Sequence, residues 1–307
     1  MLRSILISIT AESSYPILGT LGRPVQAWFL AQITRSNPAL ASKLHDEKGL
    51  KPYTVSTLLD SHSRPLRTGS WVQPGELCWI RITSLNEELS DLVETKFIKK
   101  LSKQLTIHKM NFRVDGVATK RTEHEWAGAI EYSEIAQDAA LASAENRVRM
   151  EFASPTAFRS NGLDICIPAP GQIFRSLWEK WNAFAPEPMQ VHDLWPQFAN
   201  DCILVDELTA VNSTRWEFSE GTGRTATGFT GTVGFYLAPK SKVKQQWREY
   251  WDGANVVLQS LANFSFYSGV GHHTTVGMGQ VRLLSFNPKS KPELTRNQRR
   301  TSRSSRK

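Results

Sequence analysis

Residues 247–286 have the sequence WREYWDGANVVLQSLANFSFYSGVGHHTTVGMGQVRLLSF, and this stretch decides the fold. Its first part predicts an amphipathic helix, because apolar residues recur at i, i+4, i+7, i+11 and i+14. These residues are Trp247, Trp251, Ala254, Leu258 and Leu261. A glycine-rich segment follows at Gly269–Gly279, and the pattern of Gln280–Phe286 predicts a strand. The chain is therefore expected to return to a sheet directly after its strongest helix.

The rest of the chain gives the same order of elements twice. The first round predicts a strand at 1–9, a helix at 24–35, strands at 51–59 and 76–84, a helix at 87–102 and a strand at 105–117. The second round predicts a strand at 147–153, a helix at 171–184, strands at 202–219 and 225–237, and then the helix and strand quoted above. Each round is βαββαβ, the ferredoxin-like plan. We predict an α+β protein with two tandem ferredoxin-like, RRM-like domains, at residues 1–135 and 146–288, joined by a helical connector.

The net charge of +8 is concentrated at the C-terminus. From Lys289 onward there are eight basic residues and one acid, so residues 289–307 carry +7 and residues 1–288 carry +1. This Ser/Arg-rich segment is too polar to bury, and it predicts a basic disordered tail. Two interpretations stay open for it, namely electrostatic binding of phosphates and a purely solubilising role.

Composition excludes several classes of protein. Hydrophobic residues make up 40% of the chain and charged residues 21%, which is typical of a folded protein. No stretch approaches the roughly 20 apolar residues of a membrane-spanning helix, and residues 1–9 are too short and too alternating for a secretory signal. Cys78, Cys166 and Cys202 form no CxxC pair, so we expect buried thiols in a reducing cytoplasm.

The glycine-rich loop is the first candidate ligand site. It is not a P-loop, because no Gly-Lys-Ser/Thr follows, and not a dinucleotide fingerprint, because that motif opens a helix. Glycines let backbone amides approach phosphates closely, and histidines and threonines at the tip add donors. The residues predicted to contact a ligand are Gly269, Gly271, His272, His273, Thr274, Gly277 and Gly279. A plain tight turn stays the alternative. We predict no metal here, because adjacent loop histidines seldom both bind one ion.

His45 and Lys51 form the second candidate site. His45 closes a predicted helix from Pro38, and helix-end carbonyls stabilise a protonated imidazole. Lys51 follows six residues later, past a turn, so the two side chains can face one cleft. An imidazole that moves protons and a cation that steadies phosphate charge suffice to cleave RNA without a metal. A capping histidine with a solvated lysine stays an open alternative. A metal phosphohydrolase built on His45-Asp46 and His192-Asp193 is another.

Three segments resemble the CRISPR repeat-processing endoribonucleases of the repeat-associated mysterious protein (RAMP) superfamily. The first is Leu44-His45 followed by Lys51–Ser56 (KPYTVS). The second is Met150–Arg159 (MEFASPTAFR), which leads to Pro168–Trp178. The third is the helix through Trp251–Ala262 with the glycine-rich loop and strand after it. They occur in the family's order and cover both halves of the chain.

The resemblance implies two ferredoxin-like domains and cleavage of precursor CRISPR RNA within each repeat, without metal or cofactor. The 2′-hydroxyl would attack the adjacent phosphorus, which leaves a 2′,3′-cyclic phosphate and a 5′-hydroxyl. By position in the motif, His45 is the general base or acid and Lys51 the phosphate-stabilising cation. The further candidates are Arg159 and Arg175 for phosphate contacts, Arg23 or Arg35 as a second cation, and Tyr53 as a hydroxyl, since the 24–35 helix lacks the tyrosine of some relatives.

The implied partners are CRISPR repeat RNA and the crRNA product, with CRISPR effector-complex subunits as further candidates. We expect a monomer or homodimer in the cytoplasm of a prokaryote, without membrane contact. The resemblance leaves one alternative function open, a RAMP-type crRNA-binding subunit that does not cleave.

Overall fold

The computed structural model describes residues 1–46, 49–66, 68–142, 145–218 and 224–284. Within these residues the strands are β1 (Leu2–Ala11), β2 (Tyr15–Pro16), β3 (Tyr53–Val55), β4 (Trp71–Val72), β5 (Leu77–Ser84), β6 (Gln104–Ile107), β7 (Met110–Ala118), β8 (Gly128–Ile130), β9 (Arg147–Thr156), β10 (Phe158–Ser160), β11 (Leu163–Ile165), β12 (Ile203–Glu217), β13 (Thr225–Leu237) and β14 (Val281–Leu284). The α-helices are α1 (Gly22–Ser36), α2 (Pro38–Asp46), α3 (Glu87–Leu92), α4 (Tyr132–Leu141), α5 (Pro170–Phe184), α6 (Trp195–Cys202) and α7 (Ala254–Ser268). The predicted tail lies outside the described residues.

The first sheet has the strand order β3-β5-β1-β7-β6, with β8 paired to β1. The plan β1-α1-β3-β5-α3-β7 confirms the predicted ferredoxin-like order for the N-terminal half. Alternation in β1 explains its packing, because Ile5, Ile7 and Ile9 all lie in the core beneath α1 and α3. Helix α1 places Phe29 and Ile33 in the same core.

The second sheet has the strand order β12-β13-β9-β14. The plan β9-α5-β12-β13-α7-β14 repeats the first half, which confirms the predicted duplication. Helix α5 buries Ile173, Phe174, Leu177 and Trp181 at helical spacing, as its sequence predicts. Strands β12 and β13 are 15 and 13 residues long, so they form a long hairpin at the edge of this sheet.

Several predicted elements differ from the structure. The strand predicted at 51–59 is only Tyr53–Val55, and the helix predicted at 87–102 is α-helical only over Glu87–Leu92, with a π-helical and a 3-10 segment after it up to Lys100. Residues 105–117 are not one strand but the hairpin β6–β7, because the chain turns at His108, where φ is +57°. The helix predicted from Trp247 begins only at Ala254, because Gly253 has φ +87° and stops the chain from being helical before it. The Trp251 indole instead donates to the carbonyl of Ala238. The apolar pattern from Trp247 to Leu261 thus spans the end of a 3-10 turn, Gln245–Trp247, and the first half of α7.

The two halves share a continuous interface. Arg81 of β5 is 2% exposed and donates to the hydroxyl of Ser4, to the carbonyls of Trp126 and Phe266, and to the side-chain oxygen of Gln280. Its guanidinium also lies 4.9 Å from the Trp126 ring centroid and 4.5 Å from that of Phe266. Burial lowers the pKa of Arg81 to about 9. One buried cation therefore holds groups of both domains in a fixed relation. Among the described residues no helix is long and apolar enough to cross a membrane.

Candidate functional site

The end of α2 brings His45 and Lys51 to the same turn. His45 is exposed in the last turn of α2. Lys51 lies two residues before β3, and its Nζ donates to the carbonyl of Leu44 over 2.6 Å. Because that carbonyl belongs to the last turn of α2, the ammonium sits at the negative end of the helix. The end of α2 thus has a held cation and, one residue after the carbonyl that holds it, an exposed histidine.

Tyr53 lies in the core rather than on this surface. Its side chain is 1% exposed, its hydroxyl accepts from Nε2 of Gln26 over 3.1 Å, and its ring lies 5.4 Å from that of Phe29. Burial raises the pKa of the phenol. This position does not favour the predicted role of Tyr53 as a hydroxyl that touches substrate.

The glycine-rich loop is closely packed. A Cβ at Gly271 would lie 2.2 Å from the carbonyl oxygen of Ala157, and one at Gly279 would lie 2.1 Å from that of Val270. Both glycines have positive φ, which other residues rarely adopt. Seven amides of the loop region donate within the protein, those of Gly269, Val270, Gly271, His272, Val276, Met278 and Gly279. The sequence suggested amides turned toward phosphates, whereas these seven are turned inward.

Lys180 of α5 holds the loop from below. It is 5% exposed, and its Nζ donates to the carbonyls of Ser268, Gly269 and Gly271 over 3.1–3.2 Å. Three acceptors match the three N–H bonds of an ammonium. Burial lowers the pKa of Lys180 to about 7. The sequence analysis missed this residue, although a lysine between Leu177 and Trp181 on an apolar helix face was a signal.

A chain of side chains joins the two domains above the loop. The Arg23 guanidinium lies 5.3 Å from the ring centroid of Phe218, at the end of β12. The Phe218 ring lies 4.7 Å from that of His273, which lies 4.2 Å from that of His272. We call Arg23, Phe218, His272 and His273 the cross-domain cluster. No pattern in the sequence singled out Phe218, because it lies just after a strand and resembles the many other aromatic residues of the chain.

The two loop histidines are neutral at pH 7. Burial lowers the pKa of His273 to about 4, and the charges of His272, Arg23 and Arg159 contribute to this shift. Burial also lowers the pKa of His272, although Asp164 opposes the change. The His272 Nε2 lies 3.5 Å from Oδ1 of Asp164, too far for a hydrogen bond. Positive charge at this end therefore comes from the two exposed arginines.

Strand β3 connects the two parts of the site. Lys51 precedes β3, and Thr57 follows it on the side of the loop. A Cβ at Gly277 would lie 2.7 Å from the backbone nitrogen of Thr57, and the Thr57 hydroxyl accepts from the amide of Leu21. Six extended residues span at most about 20 Å. Strand β3 thus runs from Lys51 toward the glycine-rich loop, so at most about 20 Å of chain separates the α2 end from the loop end.

Other predicted contacts lie further away. Arg35 is in the last turn of α1 and Arg23 in the first, so about 18 Å of helix separates them. Arg175 is exposed in a surface groove between α5 and α6, beside Asn200 and Asp201. The structure brings Arg23, Arg159 and the loop together but does not gather all the predicted cations in one place.

The two His-Asp dipeptides lie in different domains. His45-Asp46 ends α2, whereas the ring of His192 packs against Tyr250 among the helices of the second domain. Within the part of the chain that the structure describes, no three His, Cys, Asp or Glu side chains are grouped as metal ligands. The phosphohydrolase alternative gains no support from this arrangement.

Comparison with known proteins agrees with the topology. The model of the CRISPR Cas6 N-terminal domain matches residues 1–137, and that of CRISPR-associated endoribonuclease Cas6 matches residues 150–281. The Cas6 endoribonuclease of two Mycobacterium tuberculosis strains is 26% identical over 182 residues, which is 58% of this chain and 52% of the relative. The match thus spans about half the length of these curated relatives.

Solved structures show the same fold. A product complex of Thermus thermophilus Cas6 superposes with a TM-score of 0.70 at 22% identity, over 92% of this chain and all of that one. A histidine-to-alanine mutant of another Cas6 gives a TM-score of 0.67 at 20% identity, over 92% and 99% of the chains. Two tandem ferredoxin-like domains with this loop define a RAMP-type fold. Within that class, the chain belongs to the Cas6 family of CRISPR-associated endoribonucleases.

Proposed function

We propose that this protein is an endoribonuclease that cleaves precursor CRISPR RNA within each repeat without a metal ion. The observation that carries the proposal is the end of α2, where the imidazole of His45 is exposed and the ammonium of Lys51 is held by the carbonyl of Leu44. Strand β3 links this end of α2 to the cross-domain cluster, which supplies the exposed cation of Arg23 and the half-buried rings of the two loop histidines. A histidine-to-alanine mutant was made of one similar Cas6, which supports testing His45 first.

The reaction is a transesterification of the RNA backbone. The 2′-oxygen upstream of the scissile bond attacks the adjacent phosphorus, the P–O5′ bond breaks, and the products are a 2′,3′-cyclic phosphate and a 5′-hydroxyl. His45 takes the proton of the 2′-hydroxyl or delivers one to the 5′-oxygen. Lys51 stabilises the negative charge that grows on the non-bridging oxygens. The complementary proton transfer falls to solvent.

The RNA strand is held by phosphate contacts and stacking. Arg23 and Arg159 provide positive charge near the loop, and Arg35 and Arg175 extend it along two helices. The half-buried rings of His272 and His273 offer surfaces for unpaired bases, and the buried ring of Phe218 supports them from behind. We propose that the enzyme keeps the crRNA product through these contacts, as a monomer or homodimer that passes it to CRISPR effector subunits.

A cleavage assay with repeat RNA tests the proposal. We expect one cut per repeat, undiminished in EDTA, and products whose 3′ ends resist phosphatase until the cyclic phosphate is opened by acid. A requirement for added divalent cations would refute the metal-free mechanism. Tight binding of cognate repeat RNA without any cleavage would instead identify a RAMP-type binding subunit.

A further inference from the structure

A cavity of about 470 Å³ lies beside the cross-domain cluster. It is enclosed by the β1–α1 loop, the β6–β7 turn and the end of β12, and most of its surface is apolar. The lining residues include Tyr15, Leu18, Leu21, His108, Lys109 and Phe218. Its size falls in the range of small-ligand sites, roughly 300–1,000 Å³.

We infer that this cavity receives one unpaired nucleobase of the RNA, and this inference rests on the proposed function. Phe218 is the link, because it lines the cavity and also contacts Arg23 and His273. A strand whose phosphate is held by Arg23 therefore has the cavity directly beside it. The cavity is thus continuous with the proposed RNA surface rather than a separate site.

The chemistry of the lining selects a base over other small apolar groups. The half-buried ring of Tyr15 offers a π-face, and stacking of this kind tolerates any base, whereas the buried ring of Phe218 closes the inner wall. Lys109 is the lysine of the lining, and it is exposed at the rim. A cation at the mouth and no carboxylate in the lining suit a ligand attached to a phosphate backbone.

Abasic substitution in repeat RNA identifies the occupant. Each RNA carries one abasic nucleotide and a 2′-deoxyribose before the mapped cleavage position, which blocks turnover, and affinity is measured by fluorescence anisotropy. We expect one abasic position to weaken binding by the wild-type protein about tenfold, the scale of one stacked base. Leu18→Asp, which puts a charge at the half-exposed mouth, should weaken binding of intact RNA by a similar factor.

The two changes should not be additive. In Leu18→Asp the same abasic position should cost almost nothing further, because the base has already lost its site. Leu141→Asp is the matched control, since Leu141 is 86% exposed at the end of α4. Lys109→Ala, a surface change that leaves folding intact, should weaken all the RNAs alike and lower the salt dependence.

Unchanged affinity of Leu18→Asp relative to Leu141→Asp would overturn the base assignment and leave the cavity to another ligand. The same conclusion follows if every abasic penalty persists in Leu18→Asp. Normal cleavage by the wild type in that case keeps the proposed function intact. If the wild type neither binds nor cuts repeat RNA, both proposals fall.

Discussion

The two histidine-bearing ends of the interface differ in what surrounds their rings. His45 is exposed in the last turn of α2, and the ammonium of Lys51 donates to the carbonyl of the residue before it, Leu44. His272 and His273 are half-buried, their rings contact each other at a tilt of 47°, and their pKa values are lowered because burial and nearby arginines disfavour the charged forms. A residue that transfers protons to and from RNA must be accessible to it. On this difference we propose that the α2 end carries the chemistry and that the loop end holds the RNA.

The largest expected effect separates the two ends by cleavage rate. His45→Ala should lower the single-turnover rate by about 100-fold or more, the scale of general acid–base catalysis. His273→Asn should lower it less than about tenfold, because a half-buried imidazole with a pKa of about 4 is a weak base and is almost never protonated at pH 7. Asparagine tolerates the positive φ of this position, so the loop is kept. Single-turnover assays at saturating enzyme give both numbers.

The control for this pair is His62→Ala, which removes an exposed imidazole elsewhere in the first domain. It should cleave like the wild type. If His45→Ala also cleaves at the wild-type rate while His273→Asn loses 100-fold, the assignment of the two ends is reversed.

The next effect concerns the cation beside His45. Lys51→Ala should lower the cleavage rate about tenfold or more at saturating RNA and change the dissociation constant much less, because the charge acts mainly on the transition state. Lys51→Arg should recover part of the cleavage rate, since it keeps the positive charge but replaces the compact ammonium with a planar guanidinium. A loss confined to binding would place Lys51 with the RNA-holding residues instead.

At the loop end we expect an effect on the free energy of unfolding rather than on the cleavage rate. Lys180 has a pKa of about 7 when folded, below its ordinary 10.5. Between these values the unfolded chain binds a proton that the folded protein lacks, so the free energy of unfolding rises with pH, by up to about 1.4 kcal/mol per unit. Urea unfolding at pH 7, 8 and 9 measures this slope.

Lys180→Met is the reference for that measurement. This variant lacks the titrating group at position 180 but keeps all other titrating groups, whose effects therefore cancel in the comparison. As the pH rises from 7 to 9, the free energy of unfolding of the wild type should increase relative to that of the variant. Parallel pH profiles for the two proteins would show that Lys180 keeps its proton in the folded state. The buried ammonium would then be a permanent support of the loop.

The fold followed from patterns that are local in the sequence. The buried stripes of β1 and α5 and the repeated element order specified both sheets, because one-sided burial leaves few other arrangements. Two of the wrong element boundaries lie at single residues with positive φ, His108 and Gly253. The pattern of apolar residues around them does not indicate such a backbone conformation.

Spacing in the sequence suggested one part of the candidate site. His45 and Lys51 are six positions apart and both lie at the end of α2, while their catalytic roles stay a prediction. The contacts between Arg23, Phe218 and His273 join three distant segments and exist only after the two domains pack. The inward direction of the loop amides also depends on partners such as Ala157 and Ser176, which are about 100 residues away. Interactions of that kind are set by tertiary packing, which a local pattern does not encode.

The smallest expected effect comes from residues 289–307, which carry +7. If this segment adds phosphate contacts to the loop end, deleting it should lower the slope of log affinity against log salt by at least about 0.7, the contribution of one phosphate on a single strand. The cleavage rate at saturating RNA should not change, because the deleted charges act before chemistry. Anisotropy titrations at several salt concentrations measure the slope, and replacing the tail arginines with glutamine separates charge from length. An unaltered slope with either protein would assign the segment a passive, solubilising role and confine RNA binding to the folded domains.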